Sequence, residues 1–277
     1  MRPLDFRIIL YDEVRRLRQQ GLSYTKIIEV VEKEYGVKLL KSHISEWLRG
    51  LRNPRNSVKL LPGDLKPSEE LAYIIGVIAG DGTIYMKDGK CILYLMCKDS
   101  ELAMEFARCL KVLRCKPRVM IRGGFYIVRA YSKALCELLK KPLDLEKLRP
   151  YMEYGEKTIA KFLRAFFDSE GSVDVKGKAI YISNTNLDLL NYVKKLLLML
   201  RIDVEGPHLY ARMGTTIYKP NKIYYRKKDA YRVYVRASSR QTFTELVGFT
   251  IKRKMERLRK LLKPLPTIFP QNIKHLL

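Results

Sequence analysis

The chain has 277 residues, enough for one large core or two smaller ones, and its 54 lysines and arginines outnumber 29 acids for a formal charge of +25. An excess of that size points to a polyanionic partner, nucleic acid ahead of an anionic membrane or an acidic protein. No apolar run approaches the roughly 18 residues of a membrane span, Arg2, Asp5 and Arg7 interrupt any signal-peptide core, and no phosphate-loop, dinucleotide-binding or nucleophile-elbow motif is present. A cytoplasmic protein without membrane contact is expected.

Residues 1–50 read as a separate helical domain. Leu10, Val14 and Leu17 line a first helix ended by Gly21. Ser23 can cap a second helix with Ile27, Ile28, Val30 and Val31 on its apolar face, and Glu34 to Val37 form a turn. Ser42 is expected to open a short third helix that buries Ile44, Trp47 and Leu48. The pattern resembles a helix-turn-helix DNA-binding domain. Lys41, Ser42, Ser45 and Arg49 then face outward, where such a helix meets the major groove. Residues 51–67, with Arg52, Pro54, Arg55, Pro62-Gly63 and Pro67, form a basic linker.

From residue 68 onward a pattern occurs twice. An apolar helix, Leu71 to Ala79, carries Gly76 and Gly80 one turn apart and ends in Asp81-Gly82. A second, Ile159 to Ser169, carries Ala165 and Ser169 one turn apart and ends in Glu170-Gly171. Small residues at this spacing let helix backbones approach closely, which would bring Asp81 and Glu170 side by side. Each acid would face the negative end of its helix dipole and the charge of the other. A divalent cation between them resolves that conflict, and phosphates would come to it.

After the first acid-tipped helix, the expected elements are strands at Thr83–Met86 and Ile92–Met96, a helix at Glu101–Leu113, strands at Arg118–Arg122 and Phe125–Tyr131, and a helix at Lys133–Lys140. After the second, strands are expected at Ser172–Val175 and Ala179–Ser183, a helix at Leu187–Leu200, a long basic hairpin region from His208 to Ser238 and helices over 240–263. The two acids are separated by about one repeat. Five cysteines (Cys91, Cys97, Cys109, Cys115, Cys136) and three histidines lack zinc-site spacing, so buried reduced thiols are expected.

These residues resemble the LAGLIDADG homing endonucleases in their single-chain form. The two copies of the nine-residue motif run Ile74 to Gly82 and Leu163 to Gly171. The resemblance implies an α+β fold of two pseudo-symmetric αββαββα repeats, residues 68–150 and 151–265, whose sheets form a DNA-binding saddle, with a tail at 266–277. It implies metal ligands at Asp81 and Glu170, with Gly80 and Ser169 beside them, and Mg²⁺ as cofactor in two or three ions, replaceable by Mn²⁺. Asp168 stands where the first copy has Ala79 and is read as a supporting side chain, not a ligand. The family also places polar or basic residues around the metal, here Lys98 and Asn184 at strand ends, Cys97 departing from the usual amide. A lysine opening the last helix of each repeat is matched by Lys252 and, less closely, Lys157.

Specificity is expected from the sheet faces. Strand alternation puts Arg232, Tyr234 and Arg236 on one face, and Arg118 and Arg122 opposite Val119 and Ile121. Tyr218, Tyr224 and Tyr225 among Lys219, Lys222, Arg226, Lys227 and Lys228 suit a DNA-facing hairpin tip. The expected activity is double-strand cleavage of a DNA target by a monomer with internal pseudo-dimer symmetry. The alternatives are a non-catalytic DNA-binding regulator and an intron RNA maturase. With Met1 at one end and Lys274 to Leu277 at the other, splicing residues are not seen, so a free-standing intron-encoded or mobile-element protein is expected over an intein.

Overall fold

The computed structural model of the chain describes residues 4–54, 65–87, 90–219 and 222–262. Contacts divide the chain into two compact units, Met1–Leu60 and Leu61–Leu277. Among the described residues no helix is long and apolar enough to cross a membrane.

The first unit packs α1 (Leu4–Gln19), α2 (Tyr24–Tyr35) and α3 (Lys41–Leu48) around Leu10, Val14, Leu17, Ile27, Val31, Ile44 and Trp47. Ser23 caps α2 by accepting the Lys26 N–H. Gly36 closes it in the left-handed region at φ 64°, donating its N–H to the Glu32 carbonyl. Helix α3 starts ahead of Ser42, at an extended Leu40 that offers no side-chain cap. Most of the linker, residues 55–64, and the tail from residue 263 lie outside the described residues.

The second unit repeats one sequence of elements. The first half runs α4 (Glu69–Ala79), β1 (Thr83–Lys87), β2 (Lys90–Cys97), α5 (Ser100–Val112), β3 (Arg118–Arg122), β4 (Phe125–Tyr131), α6 (Lys133–Leu138) and α7 (Leu145–Met152). The second runs α8 (Glu156–Glu170), β5 (Gly171–Asp174), β6 (Ala179–Asn184), α9 (Leu187–Met199), β7 (Val204–Ala211), β8 (Thr216–Lys219), β9 (Lys222–Tyr225), β10 (Ala230–Val235), α10 (Arg240–Leu246) and α11 (Lys252–Leu262). Both halves build a four-stranded antiparallel sheet of the same connectivity, β1-β2-β4-β3 and β5-β6-β10-β7, and β8-β9 is a separate hairpin inserted in the second half only. Gly123 and Gly124, at φ 56° and 75°, supply the left-handed pair that a two-residue turn between β3 and β4 requires. The expected turn at Asp88-Gly89 and the hairpin tip at 220–221 lie outside the described residues, as do the side chains of Lys219 and Lys222.

The halves join through α4 and α8. Every residue of α4 from Leu71 to Ile78 is buried, and α8 meets it with Phe162, Ala165 and Phe166. A Cβ on Gly76 would lie 2.5 Å from the Phe162 carbonyl oxygen and 2.7 Å from the Ala165 Cβ; one on Gly80 would lie 2.4 Å from the Ser169 Cβ. The spacing of small residues is therefore the packing surface itself.

Two expectations are corrected. Cys91 on β2 and Cys136 on α6 form a disulfide, leaving Cys97, Cys109 and Cys115 as buried thiols. The pair is brought together by the packing of α6 on β2, which spacing along the chain does not display. Helix α7 is present where no element was expected, Asp144 capping it although Pro150 lies inside. Arg236 stands one residue past β10 with its backbone still extended (φ −62°, ψ 150°) and its N–H on the Asp203 carbonyl, and it pairs with Glu205, the β7 neighbour of Tyr234.

Because the Gly76 contact is with backbone, Gly76→Ala should cost about 1–3 kcal/mol of unfolding free energy. Gly155→Ala, where the added Cβ meets open space and the only loss is a glycine N-cap of α8, should cost no more than about 1 kcal/mol in the same urea titration.

Candidate active site and nucleic-acid faces

Asp81 and Glu170 converge as the small-residue packing dictates. Gly80 ends α4 by donating its N–H to the Gly76 carbonyl, Gly82 turns the chain back with its N–H on the Val77 carbonyl, and Asp81 projects between them. A Cβ on Gly80 would sit 3.5 Å from the Cγ of Glu170, so the two carboxylates leave adjacent helix ends. Glu170 is half-buried and Asp81 keeps an exposed edge. Loss of hydration, and next the charge of Asp81, push the Glu170 carboxyl up to about 7. Asp81 is raised for the same first reason, with Asp99 adding to it. Neither carboxylate has an ion-pair partner within 4.0 Å among the described residues.

Two lysines bring positive charge to this pair. Lys254 of α11 is buried, and its Nζ donates to the carbonyls of Phe167 (3.1 Å), Asp168 (2.5 Å) and Gly171 (2.7 Å). Burial pulls its pKa down to about 8 against the fields of Asp168, Asp99 and Asp81. Lys141, in the turn after α6, donates to the Gly82 carbonyl at 2.8 Å and is likewise lowered by burial, opposed by Glu170 and Asp81. Each lysine is thus tied to the backbone next to one acid.

Asp168 supports this arrangement through its own hydrogen bonds. Its buried carboxylate accepts the N–H groups of Thr250 (2.9 Å) and Ile251 (3.3 Å), just ahead of α11, and the hydroxyl of Tyr73 from α4 (3.3 Å). It therefore fixes the turn that delivers Lys254. A second tie crosses the halves, where the Arg253 guanidinium donates twice to the Asp99 carboxylate at 2.6 and 2.7 Å.

The other expected residues fall in three groups. Lys98 is exposed beside the site with its ammonium over the Phe125 ring, and Asn184 ends β6 with its side-chain oxygen accepting the Asn186 N–H. Lys252 opens α11 but points to solvent. Lys157 lies at the opposite end of α8 from Glu170, about 20 Å away at the helical rise, and Lys141 occupies the first-half place instead. Lys254 was legible in principle. It falls between Ile251 and Leu258 in the apolar stripe of α11, where a lysine is out of pattern. Lys141, in a turn before Pro142, gave no such signal.

On the sheet faces, Arg118 and Arg122 are exposed on β3. Arg232 lies over the rings of Tyr210 (3.9 Å) and Tyr181 (4.4 Å), its Nε donating to the Ser183 hydroxyl and its Nη1 to that of Tyr234. Arg236 pairs with Glu205. Tyr218 and Tyr225 of the inserted hairpin are exposed. In the first unit Lys41, Ser42 and Arg49 are exposed and Ser45 is half-buried.

A family model described as LAGLIDADG-like domain matches residues 157–248. An uncharacterized protein of Methanocaldococcus jannaschii, MJ0398, is 36% identical over 263 residues, covering 92% of this chain and 93% of that protein. Among solved structures the chain is similar to I-DmoI in complex with DNA and Ca, with a TM-score of 0.49 and 19% identity over 69% of this chain and 97% of that one. It is also similar to full-length WhiA from Thermatoga maritima, with a TM-score of 0.45 and 14% identity over 76% of this chain and 66% of that one.

The Arg253 guanidinium holds the Asp99 carboxyl below the usual carboxylate range. A carboxyl whose folded pKa is depressed stabilises above its unfolded pKa and loses that contribution as pH falls through the folded one. Asp99→Asn should therefore cost about 1 kcal/mol at pH 7, the upper range for a partly exposed pair. Urea midpoints of variant and parent should converge as pH drops below about 4.

Proposed function

The chain belongs to the LAGLIDADG-like family, and from that premise we propose that it is a metal-dependent endonuclease that cuts both strands of duplex DNA at one long site. The observation that supports this best is the juxtaposition of Asp81 and Glu170, uncompensated by any ion pair among the described residues, on the ends of two helices packed at backbone contact. Two carboxylates side by side at the negative ends of two dipoles work against folding unless a cation joins them.

The donor set fits a hard divalent cation. Asp81 and Glu170, with the neighbouring carbonyls of Gly80 and Ser169, offer oxygen only, and no group of three or more acidic, histidine or cysteine ligands occurs among the described residues. One or two carboxylates suffice for Mg²⁺, which keeps several waters, and Mn²⁺ can substitute. Such ions, when bound, lower the pKa of water and neutralise charge at the leaving oxygen.

The chain's own groups supply the remainder. Lys254 has three ammonium hydrogens and three carbonyl acceptors, so it acts through its charge on the phosphate oxygens near Glu170 and not by direct proton donation. Lys141 has one carbonyl acceptor and keeps two hydrogens for a phosphate oxygen near Asp81. The sheets position the duplex, with Arg118, Arg122, Arg232 and Tyr234 facing it and Lys98, Lys252 and Asn184 at its margin. The N-terminal unit adds a second DNA contact through Lys41, Ser42, Ser45 and Arg49 of α3.

Cleavage of a randomised duplex library with Mg²⁺, beside an EDTA control, tests the proposal; metal-dependent cuts at one consensus are expected. Asp81→Asn and Glu170→Gln should each reduce double-strand cleavage at least about 10³-fold while duplex affinity stays within a few-fold. Undiminished cleavage by either variant overturns the site. Tight binding with no cuts moves the reading to a DNA-binding regulator.

Lys254→Met should lower the cleavage rate about 10²–10³-fold with little change in duplex affinity, the scale of removing one fixed charge aimed at a developing anion.

A further inference from the structure

The two sheets have one connectivity, so their rows can be matched residue by residue. Counting from each acid, Thr83 pairs with Tyr94 in the first sheet and Ser172 with Tyr181 in the second. On the face turned away from the helices, the next row of the first sheet is Met96–Ile127–Met120. Its counterpart in the second sheet is Ser183–Arg232–His208. In this row the first sheet presents only apolar groups where the second presents a hydroxyl, a guanidinium and an imidazole.

We propose that the Met96–Ile127–Met120 row reads thymine 5-methyl groups, so that one half of the DNA target is recognised by apolar contact and the other by hydrogen bonds from the Arg232 row. This rests on the duplex-DNA reading above and names what that surface selects. Met96 and Met120 are 48% and 42% exposed and flank a buried Ile127, an apolar strip whose Met96 Sδ accepts the Tyr94 hydroxyl at 3.5 Å. The occupant is identified by the neighbouring row. There Arg118 and Arg129 stand directly opposite each other, a like-charge cross-strand pair that destabilises a sheet unless an anion joins it. Neither has an acidic partner among the described residues, and the Arg129 Nε is buried without a hydrogen-bond acceptor. A surface that pairs unneutralised arginines with an apolar strip matches phosphates flanking thymine methyls, the one apolar feature of the major groove. The second sheet differs in kind, since Arg232 is preset by two tyrosine rings and two hydroxyls, an orientation suited to bidentate contact with guanine.

The test replaces thymine by deoxyuridine, which deletes the methyl and leaves pairing and charge intact. Duplexes are first selected from a randomised library by the full chain in EDTA, then scanned one thymine at a time. At positions on one side of the midpoint, each substitution should weaken binding about fourfold, the equivalent of one buried CH₂. Thymines on the other side should be insensitive. In the Met96→Gln, Met120→Gln double variant, changed only at half-exposed positions of similar shape, the fourfold penalty should vanish. Selected duplexes that show no uridine penalty, or a penalty unchanged in the variant, overturn the inference and leave the endonuclease reading standing. Failure to select any duplex removes both. If the parent self-associates, the variant does not, and uridine has no effect, the strip is a protein interface and the inference falls.

Discussion

The contact between α4 and α8 is the constraint on which the second unit depends. Gly76 and Gly80 admit the backbone and small side chains of α8 to distances that a single added carbon would forbid. Close packing of this kind does two things at once. It joins two αββαββα halves into one body, and it forces two helix C-termini, each carrying an acid, into the same small volume. The negative dipole ends and the two carboxylates make that volume a place of high potential for a cation. The feature that stabilises the fold is therefore also the one that creates the electrostatic stress at the site.

The stress is contained by bonds that cross between the halves. Tyr73 of α4 reaches Asp168 of α8, and Asp168 in turn holds the backbone ahead of α11, so the position of Lys254 depends on residues from both repeats. The Asp99–Arg253 pair is a second crossing, from the end of β2 to α11. Buried polar groups satisfied this fully rigidify what they touch. Asp168 illustrates the balance. Burial raises its carboxyl to about 6, although four hydrogen-bonding and charge contributions act in the opposite direction. In the first copy Ala79 holds the same motif position, and Lys141 is tied by one carbonyl where Lys254 is tied by three. The halves share a fold without sharing a mechanism of support.

Much of this was legible in the chain because local rules and tertiary demands coincide. Gly76, Gly80, Ala165 and Ser169 announce the helix contact, and each acid-glycine pair marks a helix end. The Gly123-Gly124 pair fixes a hairpin, and Ser23 with Gly36 frames α2. What escaped was decided by contacts remote in sequence. The Cys91–Cys136 bond joins a strand to a helix 45 residues on. Helix α7 contains a proline that reads as a breaker. Lys252 matches the family's helix-opening lysine by position, whereas the helical period, which puts residue 254 on the inward stripe, makes Lys254 the buried one. Lys157 has the matching residue type but stands at the opposite end of α8 from Glu170, a separation that the helical rise makes visible in the sequence.

A pseudo-symmetric scaffold invites the assumption that its two halves present the same outward surface. The register argues otherwise. Tyr94 and Tyr181 stand at equivalent positions, but one row further along apolar side chains in one sheet are replaced by a caged arginine in the other. The hairpin β8-β9 is present in the second half alone. Symmetry is kept where the geometry of the acid pair requires it, at the α4–α8 contact and in the strand connectivity that flanks it. It is relaxed wherever the sheet faces outward, because nothing in the packing of the core penalises a different residue there. Divergence of the outward faces at constant core is what a single chain gains over a dimer of identical subunits, which would be limited to two copies of one recognition surface.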